Sequence, residues 1–289
     1  MQPELVADYP CRTGENPLWH PTEQCLYWTD IPAARLYRYD PAAGRTREFD
    51  TGAPVGGFTL HSDGALLLFM ARGAVRLWQD GRFSGTVIED LPEERDNRFN
   101  DVIADPEGRV FCGVMSTRER PGRLYRLDPD RSIRAVLENV GTSNGLGFTP
   151  DLRNLYFTDT RRRDISIFDY DRATGAISNR RVFVRVSDAE GGPDGLTVDA
   201  EGGVWSAQWD GYCIVRYSPQ GRELMRVRFP ARKVTSLAFG GPDFGELYVT
   251  TAGGDNRSEN GPGAGALFRL RPGVRGRPEF ASRLAAPPA

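Results

Sequence analysis

Short apolar runs separated by turn residues extend along the whole chain. The stretch that begins at Asn144 shows the pattern most clearly: Asn-Gly-Leu-Gly-Phe-Thr is followed by a Pro-Asp turn and by Leu155-Tyr-Phe-Thr-Asp-Thr. Two further runs, Ile165-Ser-Ile-Phe-Asp-Tyr-Asp and Arg181-Val-Phe-Val-Arg-Val, follow a short loop and an Ala-Thr-Gly turn. Runs rich in β-branched and aromatic residues and bounded by Gly, Pro, Asn and Asp are typical of β-strands. This stretch therefore predicts four short strands joined by turns.

The same four-strand unit recurs six times. Its copies open at intervals of 42 to 50 residues, at Glu15, Gly57, Asn100, Asn144, Asp194 and Ser236. Repeats of about 40–50 residues with four strands each indicate the blades of a propeller. We therefore predict an all-β fold, a six-bladed β-propeller with four antiparallel strands per blade around a central channel, in which residues 1–289 form one domain. A β-sandwich is the alternative. We also expect a strand near residues 4–9 to pair with the strands from Ser236 onward, since this pairing removes exposed sheet edges.

The residues that open the repeats predict a cation site. In a propeller the first strand of each blade lines the channel, so equivalent positions of different blades become neighbours around the axis. Four of the six openings carry carboxylate or amide oxygens: Glu15, Asn100, Asn144 and Asp194. Such oxygens suit Ca²⁺, Mg²⁺ or Mn²⁺, with Zn²⁺ as an alternative, and a dication would relieve the repulsion between two facing carboxylates. As the alternative, Asn144-Gly145 and Asp194-Gly195 are also common turn dipeptides.

Composition and charge narrow the function classes. The net charge is −2 and the basic residues are scattered, so we expect no nucleic-acid partner. No apolar run approaches the roughly 18–20 residues that cross a bilayer, and the N-terminus lacks a secretory signal pattern. We expect a cytoplasmic protein with no membrane contact and no obligate protein partner. The two histidines, His20 and His61, lie away from the repeat openings, which disfavours a histidine-based zinc site or a Ser-His-Asp triad. Cys25, Cys112 and Cys213 lie in or beside apolar runs, which indicates buried thiols.

At these positions the chain resembles the SMP-30/gluconolactonase family, which includes regucalcin and bacterial sugar lactonases. The matching stretches follow one another along essentially the whole chain: Gly14-Glu-Asn-Pro-Leu-Trp19, Asn97-Arg-Phe-Asn-Asp101, Ser143-Asn-Gly-Leu146, Ser178-Asn-Arg-Arg-Val182, Pro193-Asp-Gly195, Phe239-Gly-Gly-Pro-Asp243 and Leu247-Tyr-Val-Thr-Thr251.

The resemblance implies a six-bladed propeller with one divalent metal ion, whose ligands correspond to Glu15, Asn144 and Asp194. Ca²⁺ is the first candidate, and Zn²⁺, Mn²⁺, Mg²⁺ and Fe²⁺ are the alternatives. The resemblance also implies that Asp194 is the catalytic acid/base and that Arg98 and Asn100 bind substrate. From the residues alone, Asn100 could contact the metal, the substrate or both.

For each of three further residues, two roles stay open. Arg98 could instead form an ion pair with Asp96 or Asp101. Arg118 lies where regucalcin has an acidic residue that contacts substrate, so it is either a substrate-binding residue or a solvated loop arginine, and the identity of the sugar stays open. Trp209 follows the second strand of its blade and is the one tryptophan that we suspect of contacting a sugar; the others are expected to pack within blades.

These residues predict metal-dependent hydrolysis of a sugar-acid lactone such as glucono-, xylono- or arabinonolactone. The cation would polarise the lactone carbonyl, while Asp194 would take a proton from water and return one to the ring oxygen. A phosphotriesterase-type hydrolase is one alternative, for which an apolar pocket is expected. A calcium-binding regulatory propeller without turnover is the other.

Overall fold

The computed structural model describes residues 1–285, in which 24 strands form six four-stranded antiparallel sheets. The predicted all-β, six-bladed propeller is confirmed. Blades 1 and 2 contain β2 (Gly14–His20), β3 (Cys25–Asp30), β4 (Arg35–Asp40), β5 (Arg45–Asp50), β6 (Val55–Leu60), β7 (Leu66–Met70), β8 (Val75–Gln79) and β9 (Arg82–Ile88). Blades 3 and 4 contain β10 (Phe99–Ala104), β11 (Val110–Val114), β12 (Gly122–Leu127), β13 (Ile133–Val140), β14 (Ser143–Phe148), β15 (Asn154–Asp159), β16 (Asp164–Asp171) and β17 (Ala176–Arg185).

The ring closes through the two ends of the chain. Blade 5 contains β18 (Gly192–Val198), β19 (Val204–Trp209), β20 (Cys213–Tyr217) and β21 (Glu223–Arg228), and blade 6 contains β22 (Lys233–Gly240), β23 (Glu246–Ala252), β24 (Leu267–Leu270) and the N-terminal β1 (Glu4–Ala7). β1 pairs antiparallel with β24, with Glu4 opposite Arg269 and their side chains in an ion pair of 3.0 Å. The predicted pairing of the N-terminal strand with the last blade is therefore confirmed.

In the described part of the chain, helix is confined to three short 3-10 turns, Pro92–Glu94, Asp188–Glu190 and Arg257–Asn260. Among residues 1–285 no helix is long and apolar enough to cross a membrane. The prediction of one domain over residues 1–289 also covers residues 286–289, which lie outside the described part of the chain.

The first strand of every blade lies at the axis and contacts the first strands of both neighbouring blades. The backbones approach so closely there that some positions admit only glycine. A Cβ atom on Gly56 of β6 would lie 1.9 Å from the carbonyl oxygen of Phe99, and one on Gly145 of β14 would lie 2.3 Å from the amide nitrogen of Leu196. The channel is therefore narrow, and side chains that enter it from different blades are forced together.

A hydrophobic cluster fills each of the six seams between neighbouring blades. In the seam between blades 6 and 1, Trp19 stacks on Tyr248 with ring centroids 6.0 Å apart. Burial of this apolar surface is the main force that holds the blades together. The expectation that most tryptophans pack within the blades is confirmed by the burial of Trp19, Trp28, Trp78 and Trp205. All four cysteines are buried free thiols.

The C-terminal segment, residues 271–285, closes one end of the channel. Its backbone donates hydrogen bonds to the carbonyls of Phe244, Leu60 and Gly108, which belong to three different parts of the ring. Glu279 and Phe280 of this segment line a small cavity of about 50 Å³ inside the channel, which we call the lower cavity. Among the described residues, this segment therefore covers one end of the channel.

Candidate functional site

A larger cavity, of about 260 Å³, lies at the open end of the channel, and we call it the upper cavity. Five of the six predicted site residues line it, and they come from blades 1, 3, 4 and 5: Glu15, Arg98, Asn100, Asn144 and Asp194. Thr13, Ile31, Met115, Thr142, Thr160 and Trp209 complete the wall. Glu15 and Asp194, which are 179 positions apart in sequence, thus meet at one place, as the repeat register predicted.

β-Bulges aim these side chains at the channel. In each of the six blades the pairing of the first and second strands shifts register near the repeat opening. These register shifts occur at Glu15, Asn100, Asn144 and Asp194. At each of these positions, at least the next residue of the first strand has no partner in the regular pairing with the second strand. A bulge turns the local side chains out of the alternating pattern of a strand. Asn144-Gly145 and Asp194-Gly195 are therefore bulge residues within strands, and the turn interpretation is wrong.

Two aspartates fix the backbone just before two of these first strands, β2 and β14. Asp30, at the end of β3, accepts hydrogen bonds from the backbone N–H groups of Arg12 and Thr13 at 2.9 and 3.0 Å. Asp159, at the end of β15, accepts equivalent bonds from Gly141 and Thr142 at 2.9 and 3.0 Å. Each pair directly precedes the strand that carries Glu15 or Asn144, so the same device positions both candidate ligands.

A directional chain of hydrogen bonds crosses the wall of the upper cavity. Arg98 Nη1 donates to Asn100 Oδ1 at 2.6 Å, and Asn100 Nδ2 donates to Asn144 Oδ1 at 2.6 Å. Asn144 Nδ2 then donates to Thr160 Oγ1 at 2.7 Å, and that hydroxyl donates to the carbonyl of Pro193 at 2.7 Å. The chain fixes both amide orientations and leads to the residue before Asp194. Both amides thereby present defined oxygen atoms.

Arg98 does not form the ion pair with Asp96 or Asp101 that the sequence offered as an alternative. Asp96 is bound by Arg120, with Nη2 and Oδ1 2.5 Å apart. Among residues 1–285 no carboxylate lies within ion-pair distance of Arg98, whose guanidinium is held by the carbonyl of Phe99 and by Asn100. Arg98 therefore keeps donors available on the wall of the cavity.

Burial and neighbouring charges shift the pKa values of the charged groups of the site. Burial, Asp194 and Asp101 raise the pKa of Glu15 well above its ordinary value. Burial and Asp101 likewise raise the pKa of Asp194, although Arg98 opposes the shift. Burial lowers the pKa of the Arg98 guanidinium, against the attraction of the three carboxylates. Like charges in a poorly solvated space account for these directions.

The donor set fits a hard dication. Two carboxylates and at least one amide oxygen face one cavity, and a divalent charge between the carboxylates would lower their pKa values and keep both ionised. Within residues 1–285 no three His, Cys, Asp or Glu side chains are grouped closely enough to bind a metal by themselves. The candidate ligand set therefore depends on the neutral oxygen of Asn144 as well as on Glu15 and Asp194.

Arg118 and Trp209 have different positions. Trp209, the last residue of β19, lines the upper cavity, and the Lys233 ammonium lies 4.5 Å from the centroid of its ring. Arg118 lies instead in an open depression with Arg120, Arg161 and neighbouring residues. Because Met115 lines the cavity and Ser116 lines the depression, the two spaces adjoin. The structure thus brings Trp209, and not Arg118, into contact with the cavity.

Sequence reasoning missed several residues of the site. Thr160 links two blades by hydrogen bonds, yet it lies in a loop after a Thr-Asp strand end that carries no distinctive signal. Met115 and Ile31 reach the cavity from equivalent strand-end loops. Asp101 follows Asn100 directly in a repeat opening, and this position is a sequence signal for a residue of the channel.

Comparison with known proteins agrees with this geometry. Residues 13–253 match the family model described as SMP-30/Gluconolactonase/LRE-like region. The chain belongs to the SMP-30/gluconolactonase family. The resemblance predicted from the motifs is therefore confirmed.

Three relatives show how closely this member of the SMP-30/gluconolactonase family resembles characterised proteins. A protein of Haloferax volcanii named pentonolactonase XacC is 50% identical over 285 residues, which cover 96% of this chain and 97% of the relative. Regucalcin of Xenopus laevis is 36% identical, with 94% and 95% of the two chains covered. A solved structure of regucalcin from Agrobacterium tumefaciens, described as a calcium-binding protein, superposes with a TM-score of 0.89 at 27% identity and covers 98% of this chain and 97% of its own.

Proposed function

We propose that the protein is a lactonase that hydrolyses a sugar-acid lactone with the help of one divalent cation. The convergence of Glu15, Asn144 and Asp194 with Arg98 on one cavity carries this proposal. The relatives named pentonolactonase and regucalcin support it, the first for lactone hydrolysis and the second for Ca²⁺ as the first candidate among the cations. Zn²⁺, Mn²⁺, Mg²⁺ and Fe²⁺ are the alternatives.

Glu15, Asn144 and Asp194 would hold the cation. When bound, the cation supplies Lewis acidity that stabilises negative charge on the lactone carbonyl oxygen. The Asp194 carboxylate takes a proton from the attacking water while the water oxygen bonds to the carbonyl carbon. The bond between that carbon and the ring oxygen then breaks, and Asp194 returns the proton to the ring oxygen. Burial and Asp101 raise the pKa of Asp194, which favours proton uptake by its carboxylate during this exchange.

Arg98 and Asn100 would orient the sugar. The free donors of Arg98 form a fixed fork that suits hydroxyl or carbonyl oxygens, and the hydrogen bonds to Phe99 and Asn100 hold that fork in place. The polar groups of Arg98 and Asn100 favour a sugar lactone over the apolar esters that a phosphotriesterase would bind. Ile31, Met115 and Trp209 make another part of the same wall apolar. The name of the Haloferax relative makes a pentonolactone the first substrate to test.

The decisive experiment follows proton release on a panel of aldonolactones, with xylono- and arabinonolactone first and gluconolactone included. We expect turnover in the protein as purified, loss of turnover after chelation, and recovery when one divalent cation is restored. Spontaneous hydrolysis of each lactone at the same pH is the control. Cation binding without turnover on any lactone would instead support the regulatory, calcium-binding alternative, and the lactonase proposal would be rejected.

A comparison of Arg98→Ala with Arg118→Ala tests the predicted substrate residues. Arg98 lines the upper cavity, whereas Arg118 lies in the adjoining depression. Loss of a charge-assisted hydrogen bond costs about 1.5–3 kcal/mol, so we expect kcat/KM to fall about 10- to 100-fold for Arg98→Ala. For Arg118→Ala we expect a change of about threefold or less with pentonolactones. Arg153→Ala, which removes an exposed arginine that lines neither the cavity nor the depression, is the control.

A further inference from the structure

Asp101 is a buried acidic residue that the mechanism does not use. It follows Asn100 in the bulge of β10, is 7% exposed, and lines the lower cavity rather than the upper one. Its Oδ1 atom is buried and has no hydrogen-bond partner among the described protein groups. A buried, unpaired carboxylate costs free energy, which either a bound proton or a nearby positive charge can offset.

The equivalent positions of other blades show that the fold does not require an acid there. The residue that follows the site residue is Asn16 after Glu15, Gly145 after Asn144 and Gly195 after Asp194. Asn16 also lines the lower cavity, and its Nδ2 atom donates a hydrogen bond to the carbonyl of Phe58 at 3.1 Å. A neutral amide is therefore compatible with this layer of the channel.

Four interacting charged groups around the channel reach balance with one dication, while Glu279, the other acidic residue of the lower cavity, interacts with the opposite charge of Arg277. Glu15, Asp101 and Asp194 carry three negative charges when ionised, and Arg98 carries one positive charge. The remaining double negative charge equals the charge of one divalent ion. Asp101 interacts electrostatically with Glu15 and Asp194, but it does not join them in a group that could bind a metal directly.

We propose that Asp101 is a positioning residue that raises cation affinity through its charge, from the layer below the site and without binding the cation. This inference rests on the proposed cation site and deepens it. The upper cavity supplies the ligands, and Asp101 supplies the negative charge that makes the site match a divalent ion in preference to a monovalent one. Its cost in the metal-free protein is the buried charge, which the bound ion offsets.

Asp101→Asn separates this role from a structural one. Ca²⁺ is titrated by calorimetry into metal-stripped, full-length protein, and the melting temperature of the stripped protein is measured in parallel. We expect the dissociation constant to rise about 10- to 100-fold, the range seen for groups that support metal ligands, with one ion bound as in the wild type. The stripped variant should melt at the same temperature as the stripped wild type or above it, because a buried like charge has been removed. Asp63→Asn, an exposed carboxylate beside His61, is the control.

Moving the charge tests the same idea without relying on one variant. In Asn16→Asp the new carboxylate enters the lower cavity from blade 1, so Ca²⁺ binding should tighten. In the double variant Asn16→Asp with Asp101→Asn, the dissociation constant should return to within about threefold of the wild type.

Three results would overturn the inference. The first is an unchanged dissociation constant in Asp101→Asn; a lower melting temperature beside it would indicate a structural role. The second is the loss of one of two bound ions, which would make Asp101 a ligand. The third is a wild-type protein that binds no cation. If lactones are not hydrolysed but the charge variants shift Ca²⁺ affinity as described, the proposed activity fails and this inference stands.

Discussion

Replacement of Asp194 by Asn is expected to abolish most lactone turnover while the fold is retained. The amide keeps an oxygen that faces the cation but cannot take a proton from water, and loss of general acid/base catalysis costs about 10²- to 10⁴-fold in rate. The side chain is buried at the bulge of β18 and is nearly isosteric with Asn. We therefore expect kcat, measured at saturating Ca²⁺, to fall by about that factor while KM changes little.

Saturation with metal is essential to this comparison, because Asn also removes one negative charge from the candidate ligand set. The dissociation constant for Ca²⁺ is measured first, and kcat is then taken at a concentration well above it. Asn144→Ala is the informative partner, since it removes a neutral ligand and leaves the proposed base in place. Asn144→Ala should weaken cation binding more than it lowers kcat at saturating Ca²⁺. If Asp194→Asn retains kcat within about tenfold of the wild type, another group moves the proton.

Much of the fold was predictable because a propeller repeats one local pattern. The strand at Leu155-Tyr-Phe and its counterparts in other blades carry β-branched and aromatic runs between turn residues, and the 42- to 50-residue interval sets the number of blades. Pairing of β1 with β24 was predictable for a different reason, because an unpaired strand would leave an exposed edge. The C-terminal segment that closes the channel was not predictable, since it makes backbone contacts without any regular strand pattern.

The site was predictable at the level of which residues meet, but not of how they are held. Equivalent positions of Glu15, Asn144 and Asp194 in the repeat were enough to place them around one axis. The bulges were hidden because Asn-Gly and Asp-Gly give the same sequence signal in a bulge as in a turn. Arg98 illustrates the other limit: its sequence neighbour Asp96 is taken by Arg120, which lies 24 residues from that aspartate. Only the tertiary structure decides between such competing partners.

The buried carboxyl groups of the channel also make the stability of the metal-free protein depend on pH. Burial raises the pKa of Asp101 from 3.8 to about 7, and the pKa values of Glu15 and Asp194 shift in the same direction. A carboxyl group with a raised pKa binds protons more tightly in the folded state than in the unfolded state. Its contribution to stability is therefore complete below about pH 4 and is lost as the pH rises through the folded-state pKa. For Asp101 this window extends from about pH 4 to pH 7.

We therefore expect metal-stripped protein to lose a few kcal/mol of unfolding free energy between about pH 5 and pH 7.5, since each pKa unit corresponds to about 1.4 kcal/mol. Saturating Ca²⁺ should remove most of this slope, because a dication between the carboxylates favours their charged forms. Urea unfolding at both pH values, with and without Ca²⁺, measures the difference. Burial raises the pKa of Glu279, at the closed end of the channel, to about 6, which lies in the same pH window. Glu279→Gln therefore removes the contribution of this group from the unfolding free energies measured with and without Ca²⁺. Equal slopes with and without Ca²⁺ in that variant would show that no cation binds among these carboxylates.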